Sequence, residues 1–528
     1  MPITPTYPGV YIEEIDSGVR TVSGVATSIA AFVGRTKKGP VGEPMTCFNM
    51  GEFNRRFGGL WADSNVGYAV DDFFANGGGQ CLIVRLFEES ADEGVAKLTI
   101  GEAPDQTLEI LARTPGAWGN NLKGTITRPD EDDPEGAKAA AERYGLTVDD
   151  IFDLTIEDTE TEVTEVFRTI SMKEGAGQRR FDNILEAQSN LIAAPESPAF
   201  SDTRPAHEAS GEGVDGNDGR ELSEASFNGD PDAKTGMHAL RKADTFNLLC
   251  IPPDTRTASL PKPVREEAAA LCAEERALYI VDPPNDWDAN PDTAAKTALD
   301  AQRDASDQVL PLTHARNAAL YFPRLLKRDP LRGGQVHAFA PCGAVAGVMA
   351  RTDVNRGVFK APAGLASSIA NTHGLTVKLT DNENGMLNPI GVNCLRSFQN
   401  IGRVVWGART LAGLDVLSDD YKYVSVRRLA LYIEESLYRG TQWVVFEGND
   451  EPLWAQIRLS VGAFMQRLFR QGAFQGTSPK EAFFVKCDSS TTTQDDINRG
   501  IVNIVVGFAP LQPAEFVVIS IQQIRSAA

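Results

Sequence analysis

All of the net charge of this chain lies in one contiguous stretch. Residues 88–235 carry 34 acidic and 13 basic side chains, a net of −21, which is also the net charge of the full 528 residues. The rest of the chain holds acids and bases in equal number. A polypeptide divided in this way reads as a balanced, packed protein interrupted by an acidic insertion. Inside the stretch, EDDPEGAKAAAERYG and HEASGEGVDGNDGRELSEASFNGDPD are too rich in Gly, Asp, Glu and Ser to bury much apolar surface. They predict a solvent-facing domain with a long flexible loop. Two patterned pieces within it, LTIEDTETEVTEVFRTISM and RRFDNILEAQSNLI, predict a strand pair and a helix.

On either side the pattern is α/β. ATSIAAFVGR (26–35) and CLIVRLF (81–87) read as buried strands, with EFNRRFG and VGYAVDDFFANGG as short helices between them. TFNLLCIPP, the helix REEAAALCAEERA, LYIVDPP and AALYFPRL continue the alternation, which argues for a largely parallel sheet. From about 386 the pattern changes. VRRLALYIEESLYRG puts Leu429, Tyr432, Ile433 and Leu437 on one helical face. PLWAQIRLSVGAFMQRLFRQGAF does the same with Trp454, Ile457, Val461, Phe464 and Leu468. Two β-rich runs, RGIVNIVVGFAPL and AEFVVISIQQI, close the chain. The expected division is an arm at 1–25, a middle α/β domain at 26–90 plus 240–385, an acidic insertion at 91–239, a C-terminal core at 386–510 and an arm at 511–528.

Several function classes are excluded. A chain this acidic lacks the positive footprint that nucleic acid or anionic lipid requires, and it has no apolar run of membrane-spanning length. The first twenty residues lack a basic and then apolar leader, so the expectation is a soluble protein made in the cytosol. Seven scattered cysteines predict buried thiols rather than disulfides, and five scattered histidines give no metal-ligand spacing. Gly211, Gly213 and Gly216 match G-x-G-x-x-G, but in an acidic context that would repel pyrophosphate, so a flexible loop is expected. There is no phosphate-binding loop with its lysine and no G-x-S-x-G elbow. Gly476–Ser478 and His373–Gly374 lack the flanks of a catalytic nucleophile or base. Asp215–Asp218 lacks calcium-loop spacing. No catalytic, cofactor-binding or metal residue is assigned.

Two features retain functional weight. TYPGVYIEEI and AEFVVISIQQI are short β-prone segments at the two ends, with Val10 and Ile12, or Val517, Ile519 and Ile521, on one face. Each is either an edge strand of its own domain or an arm that pairs with another subunit. The helix 453–470 contains no acid, and Arg467 and Arg470 are neighbours on its surface, with Arg458 nearer the apolar edge. These arginines either contact an acidic partner or meet acids of the same fold.

PTYPGVYIEEI…GVATSIAAFVGRTKKGPVGEPM, FAPCGAVAGVMARTDVNRGVFKAPAG, NPIGVNCLRSFQNIGRVVWGARTL and YVSVRRLALYIEESLYRGTQWVVFEGNDEPLW together resemble the contractile tail sheath family over residues 1–90 and 240–528. The resemblance embraces phage tails, tailocins and extracellular injection particles alike. It implies an α/β (α+β multidomain) protein with a tube-proximal C-terminal domain, a middle domain of subtilisin-like topology without catalysis, and an outward acidic insertion. It further implies stacked hexameric rings of identical subunits around an inner tube, with baseplate and terminal cap partners and no cofactor, nucleic acid or membrane. The arms, Tyr7–Ile15 and Phe516–Ile524, would be exchanged between subunits through Val10, Ile12, Ile15, Phe516, Val517, Ile519, Ile521 and Ile524. Arg467, Arg470 and Arg458 would face the tube, and DSGVRTVSG and APLQPAE would serve as hinges. Competing readings are an active subtilisin-like hydrolase and a particle protein whose insertion binds a receptor.

Overall fold

The computed structural model describes residues 21–90, 94–101 and 106–519. These form two compact units. One comprises residues 28–351 and 363–417; the other includes residues 21–27, 352–362 and 418–519.

The larger unit is built on an eight-stranded sheet. Its order from edge to edge is Gly402–Val405, Val392–Phe398, Ala318–Phe322, Leu278–Val281, Leu248–Cys250, Ala30–Gly34, Cys81–Arg85 and Met45–Cys47. The six inner strands pair in parallel, and only the two edge strands run antiparallel. Strands buried on both faces need apolar side chains on both, which is why AAFVG and LYIV contain no polar residue and are fully buried. On one face Ala31, Val33, Leu249 and Tyr279 join a core with helices Lys262–Glu274 and Ala294–Arg303. On the other, Phe32 meets Phe73 of helix Val66–Ala75 edge-on at 5.7 Å.

The expected boundary at 386 is not the one the structure draws. Strands Val392–Phe398 and Gly402–Val405 complete the large sheet, so residues 363–417 stay with it. The change in sequence pattern falls there because the sheet ends in an antiparallel hairpin, while the change of unit comes only at 418.

The acidic insertion leaves after Cys81–Arg85 and returns at Leu248–Cys250, the two strands that flank Ala30–Gly34. It is far more ordered than its composition predicts. Seven strands form a sheet in the order Val163–Ile170, Phe152–Asp158, Leu122–Thr127, Ser210–Val214, Lys97–Ile100, Leu108–Ala112 and Ile192–Ala193. Glu165 on one edge strand accepts hydrogen bonds from Ser189 Oγ at 2.6 Å and the Asn190 backbone at 2.9 Å, beside the opposite edge. The sheet therefore curls towards a barrel around Leu98, Ile110, Leu122, Ile156 and Phe167, with helix Phe181–Gln188 filling the gap.

The glycine-rich tract read as a flexible loop is the central strand Ser210–Val214 of this sheet. Its glycines serve close approach. A Cβ on Gly211 would lie 2.2 Å from the Thr99 carbonyl oxygen, and one on Gly213 would lie 2.0 Å from that of Gly119. Asp218 accepts from the Ala117 backbone at 2.8 Å and closes the following turn. Glu109, Glu157 and Glu212 are exposed on their strands while Ile110 and Ile156 beside them face inward, a pattern that overall composition conceals.

Arg85, 1% exposed, ties the insertion to the large sheet by donating to the carbonyls of Thr36, Gly39 and Pro115 at 3.1, 2.7 and 2.7 Å. Lys37 pairs with Glu160, and Lys38 with Asp158 at 3.8 Å.

Gly213→Val should destabilise the larger unit by about 1–3 kcal/mol, the usual cost of overpacking. Gly79→Ala, with nothing within 4 Å of the added Cβ, should change stability by less than about 0.5 kcal/mol. Thermal denaturation of the two variants checks this; equal losses would contradict the close-approach account.

Candidate assembly interface

The smaller unit is held by two long helices, Val424–Gly440 and Glu451–Arg470. Leu429, Ile433, Trp454, Ile457, Val461, Phe464 and Leu468 all enter one core, on the faces their spacing predicts. The second helix starts where Asp450 accepts from the Leu453 backbone at 3.3 Å. The connection 441–450 carries Phe446, fully exposed and in a left-handed conformation at φ 70°. Arg428 and Asp353, both nearly inaccessible, pair at 2.5 Å and fasten segment 352–362 to the first helix. Removing one partner of such a pair costs about 3–5 kcal/mol, because the other charge is left buried alone.

A two-stranded antiparallel ribbon, Phe483–Lys486 with Val505–Phe508, lies against this core. Phe483, Val485, Val506 and Phe508 face inward, and Phe508 meets Phe474 at 5.7 Å. On the outer face Phe484 covers Gly507 and is 49% exposed. Among the described residues neither strand has a second neighbour, so the ribbon keeps two open edges. Isolated ribbons are marginal in water, and this one depends on its inward face. Its open N–H and C=O groups are suited to receive a further strand.

From Ala509 the chain is tied down at intervals. The Ala509 backbone donates to the Ala482 carbonyl at 2.8 Å, that of Leu511 to Ala473 at 3.1 Å, and the Tyr423 hydroxyl to Glu515 at 3.0 Å. After Glu515 come Phe516, Val517, Val518 and Ile519, exposed by 74%, 81%, 88% and 78%. The expected strand AEFVVISIQQI forms no strand within its own chain over its described part, to Ile519. Four successive exposed apolar residues are costly in water unless another surface covers them. Val10, Ile12, Ile15, Ile521 and Ile524 lie outside the described residues.

The arginines singled out in the sequence separate. Arg470 is exposed. Arg467 donates to the Val22 carbonyl at 2.8 Å and lies over the Phe464 ring at 5.8 Å. Arg458 pairs with Glu451 at 2.5 Å and donates to the Cys487 carbonyl, so its charge is engaged in its own unit. The stretch DSGVRTVSG, expected to be a hinge, is anchored in its described part. Val22 is buried, and the Val25 backbone donates to Ser436 Oγ at 3.3 Å. Single-sequence periodicity could not find these contacts, which join residues 411 and 445 positions apart.

In the larger unit, the C-terminal ends of the parallel strands are where an α/β enzyme carries its cleft. After Leu248–Cys250 and Leu278–Val281 side chains fill that position, while an open, polar cleft of about 500 Å³ lies beside Leu86, Phe87 and Arg220 after Cys81–Arg85. Arg256 pairs with Asp329 at 2.5 Å, Tyr68 donates to Asp329 at 2.8 Å, and Arg324 pairs with Asp288 at 2.5 Å. They leave a cavity of about 10 Å³, room for one water at most. Asp282, pushed up to about 7 by burial, accepts from the Cys342 backbone at 2.9 Å and caps the helix that starts there. Burial raises the Cys47 and Cys487 thiols to about 11 and Cys394 to about 12, away from nucleophilic use. Ser478 caps helix Pro479–Ala482, and the His373 backbone donates to Leu326 at 2.7 Å. Among the described residues no group of three His, Cys, Asp or Glu is placed to hold a metal, and no helix is long and apolar enough to cross a membrane.

Residues 417–524, which contain the ribbon and the exposed segment, match the phage tail sheath C-terminal domain family. The fold of nearly the whole chain is that of contractile sheath proteins. The helical sheath of the anti-feeding prophage in its contracted state aligns over 98% of this chain and 100% of its own, at 22% identity and TM-score 0.55. The sheath complex of PVC, an extracellular contractile injection system, aligns over 99% of both chains at 20% identity and TM-score 0.55. A sheath tail protein of Listeria innocua aligns over 93% of this chain and 96% of its own, at 12% identity and TM-score 0.58. No curated protein matches the chain by sequence.

Phe508→Ala should cost about 3–5 kcal/mol of stability in the smaller unit, since it empties the ribbon's inward face. Phe484→Ala on the outer face should cost less than about 1 kcal/mol. Urea denaturation followed by tryptophan fluorescence distinguishes the two faces; similar losses would place the ribbon differently.

Proposed function

We propose that the chain is the structural subunit of a contractile sheath, which polymerises as stacked hexameric rings around an inner tube. The observation that carries this reading is the coexistence, in one unit, of a ribbon with two open edges and an exposed apolar segment that nothing among the described residues covers. Phe516–Ile519 of one copy would add to the ribbon Phe483–Lys486/Val505–Phe508 of another, and the segment around Val10, Ile12 and Ile15 would take the other edge. Backbone hydrogen bonds supply affinity and the alternating side chains supply register. The contact is head-to-tail, because donor and acceptor are different surfaces, and such contacts propagate into rings or helices.

Contraction then needs no cofactor. The subunit is assembled in an extended, metastable lattice held by tube and baseplate and closed by a terminal cap. Triggering lets the bodies rotate and slide into a lattice that buries more surface, while the strand pairs persist. The filled position at the strand ends of the larger unit supports a structural rather than a catalytic role. The basic end of helix Glu451–Arg470 is the tube-facing candidate, with Arg470 foremost because Arg467 and Arg458 already hold backbone carbonyls. The acidic insertion faces outward and keeps crowded particles apart by charge repulsion. Synthesis takes place in the bacterial cytoplasm, and the assembled sheath belongs to a phage tail or a released injection particle.

Ending the chain at Glu515 should leave a folded subunit with an unchanged melting temperature that forms no ordered polymer. Removing residues 1–15 should have the same effect. Circular dichroism and negative-stain microscopy check both, and normal cylinders from either truncated chain would sink the exchange reading. Arg470→Glu should lower the yield of extended sheath on tubes several-fold while sparing tube-free polymer; wild-type yield of extended particles would place the grip elsewhere.

A further inference from the structure

We infer that Arg467 bolts the root of the N-terminal arm to the C-terminal unit, and so sets where the arm departs towards the next copy. This inference rests on the strand-exchange reading above. Residues 21–27 form no helix or strand and pair with none, so side chains alone define their path.

Five contacts do this. Val22 is 1% exposed and packs where a Cβ on Gly440 would come within 2.7 Å of it. Its carbonyl accepts the 2.8 Å hydrogen bond from Arg467. At Gly24 a Cβ would lie 1.9 Å from the Tyr432 hydroxyl, so only glycine lets the chain pass this close. The Val25 backbone donates to Ser436 Oγ at 3.3 Å, and the Thr27 carbonyl accepts from Arg428 at 2.8 Å. The bolt is itself positioned, since the Arg467 guanidinium lies over the Phe464 ring, whose other neighbour is Tyr432 at 5.9 Å between centroids.

The consequence is one of tether length. With the root fixed at Val22, the exchange proposed above starts from one defined point. Released at Arg467, the chain is next held at Val25, so the tether gains the length of 22–24 and the effective concentration of the arm at its acceptor falls. Arg467 is thus a positioning residue for exchange between copies, acting through the Val22 carbonyl. This role predicts a defect in polymer made without any tube, which a tube-gripping role does not.

The test is tube-free self-assembly of the purified full-length chain, scored by sedimentation and negative stain, with melting temperature measured in parallel. Arg467→Ala should raise the threshold concentration for polymer by up to about twofold, the change that a tether lengthened by a few residues produces. Gly24→Val, which displaces the root from the other side, should do the same. Melting temperature should stay near wild type for Arg467→Ala and fall by a few degrees for Gly24→Val, which crowds Tyr432, and Arg467→Lys, which keeps a donor, should recover most of the loss. Wild-type thresholds for both Arg467→Ala and Gly24→Val would overturn the inference. So would Arg467→Lys failing as badly as Arg467→Ala, or a defect seen only when tube is present. If removal of residues 1–15 leaves tube-free assembly intact, the exchange reading itself falls, a result distinct from failure of the bolt.

Discussion

A β-strand with no neighbour on one side presents backbone donors and acceptors that water satisfies only at the cost of leaving a template for any passing strand. The ribbon Phe483–Lys486/Val505–Phe508 has two such edges, and everything proposed for this chain depends on them. Its inner face is secured by Phe483, Val485, Val506 and Phe508 on the core of the two long helices. Among the described residues its edges have no cover, and a few residues further on the same chain exposes Phe516–Ile519. In the proposed assembly each would be covered by the other in a second copy. Within one copy, the ties at Ala509, Leu511 and Glu515 hold the approach to the apolar segment in place.

The larger unit solves a different problem. Its sheet is buried on both faces and its strand ends are plugged by Arg256, Asp329, Tyr68, Arg324 and Asp288. An α/β sheet usually keeps that position open for a ligand. Filling it with ion pairs gives up a binding cleft for a rigid body. In the proposed contraction a rigid body of this kind would move as a whole. The acidic insertion extends from this body between two strands flanking Ala30–Gly34, with Arg85 gripping both sides of the junction. An insertion entered and left beside one strand can be large without disturbing the pairing of the others.

Much of the architecture was legible in the residues. The alternation of apolar runs and helices gave the parallel sheet, because strands covered on both faces must be apolar throughout. The heptad-like spacing of Leu429, Ile433, Trp454, Ile457, Val461 and Phe464 gave both long helices with the correct buried faces. Within the insertion the strand pair Phe152–Asp158/Val163–Ile170 and the helix Phe181–Gln188 were legible, but the central strand was not. In SGEGV, composition suggests a coil, and only the proximity of Thr99 and Gly119 explains why glycine is required there. The boundary at 386 was misplaced for a related reason. A hairpin edge strand and a new domain look alike in sequence, since both break a parallel pattern.

What the sequence determined by itself is whatever depends on neighbours a few positions apart: the periodicity of strands and helices, the segregation of charge, and the apolar run at 516–519. Those properties are set by local geometry, with side chains repeating every two residues in a strand and every 3.6 in a helix. Tertiary structure alone decided which strand edges stay open, that Arg467 reaches Val22 across 445 residues, and that Arg458 donates to the Cys487 carbonyl. Such contacts depend on where the chain returns in space, and a hydrogen bond of 2.8 Å leaves no trace in the order of the residues that make it.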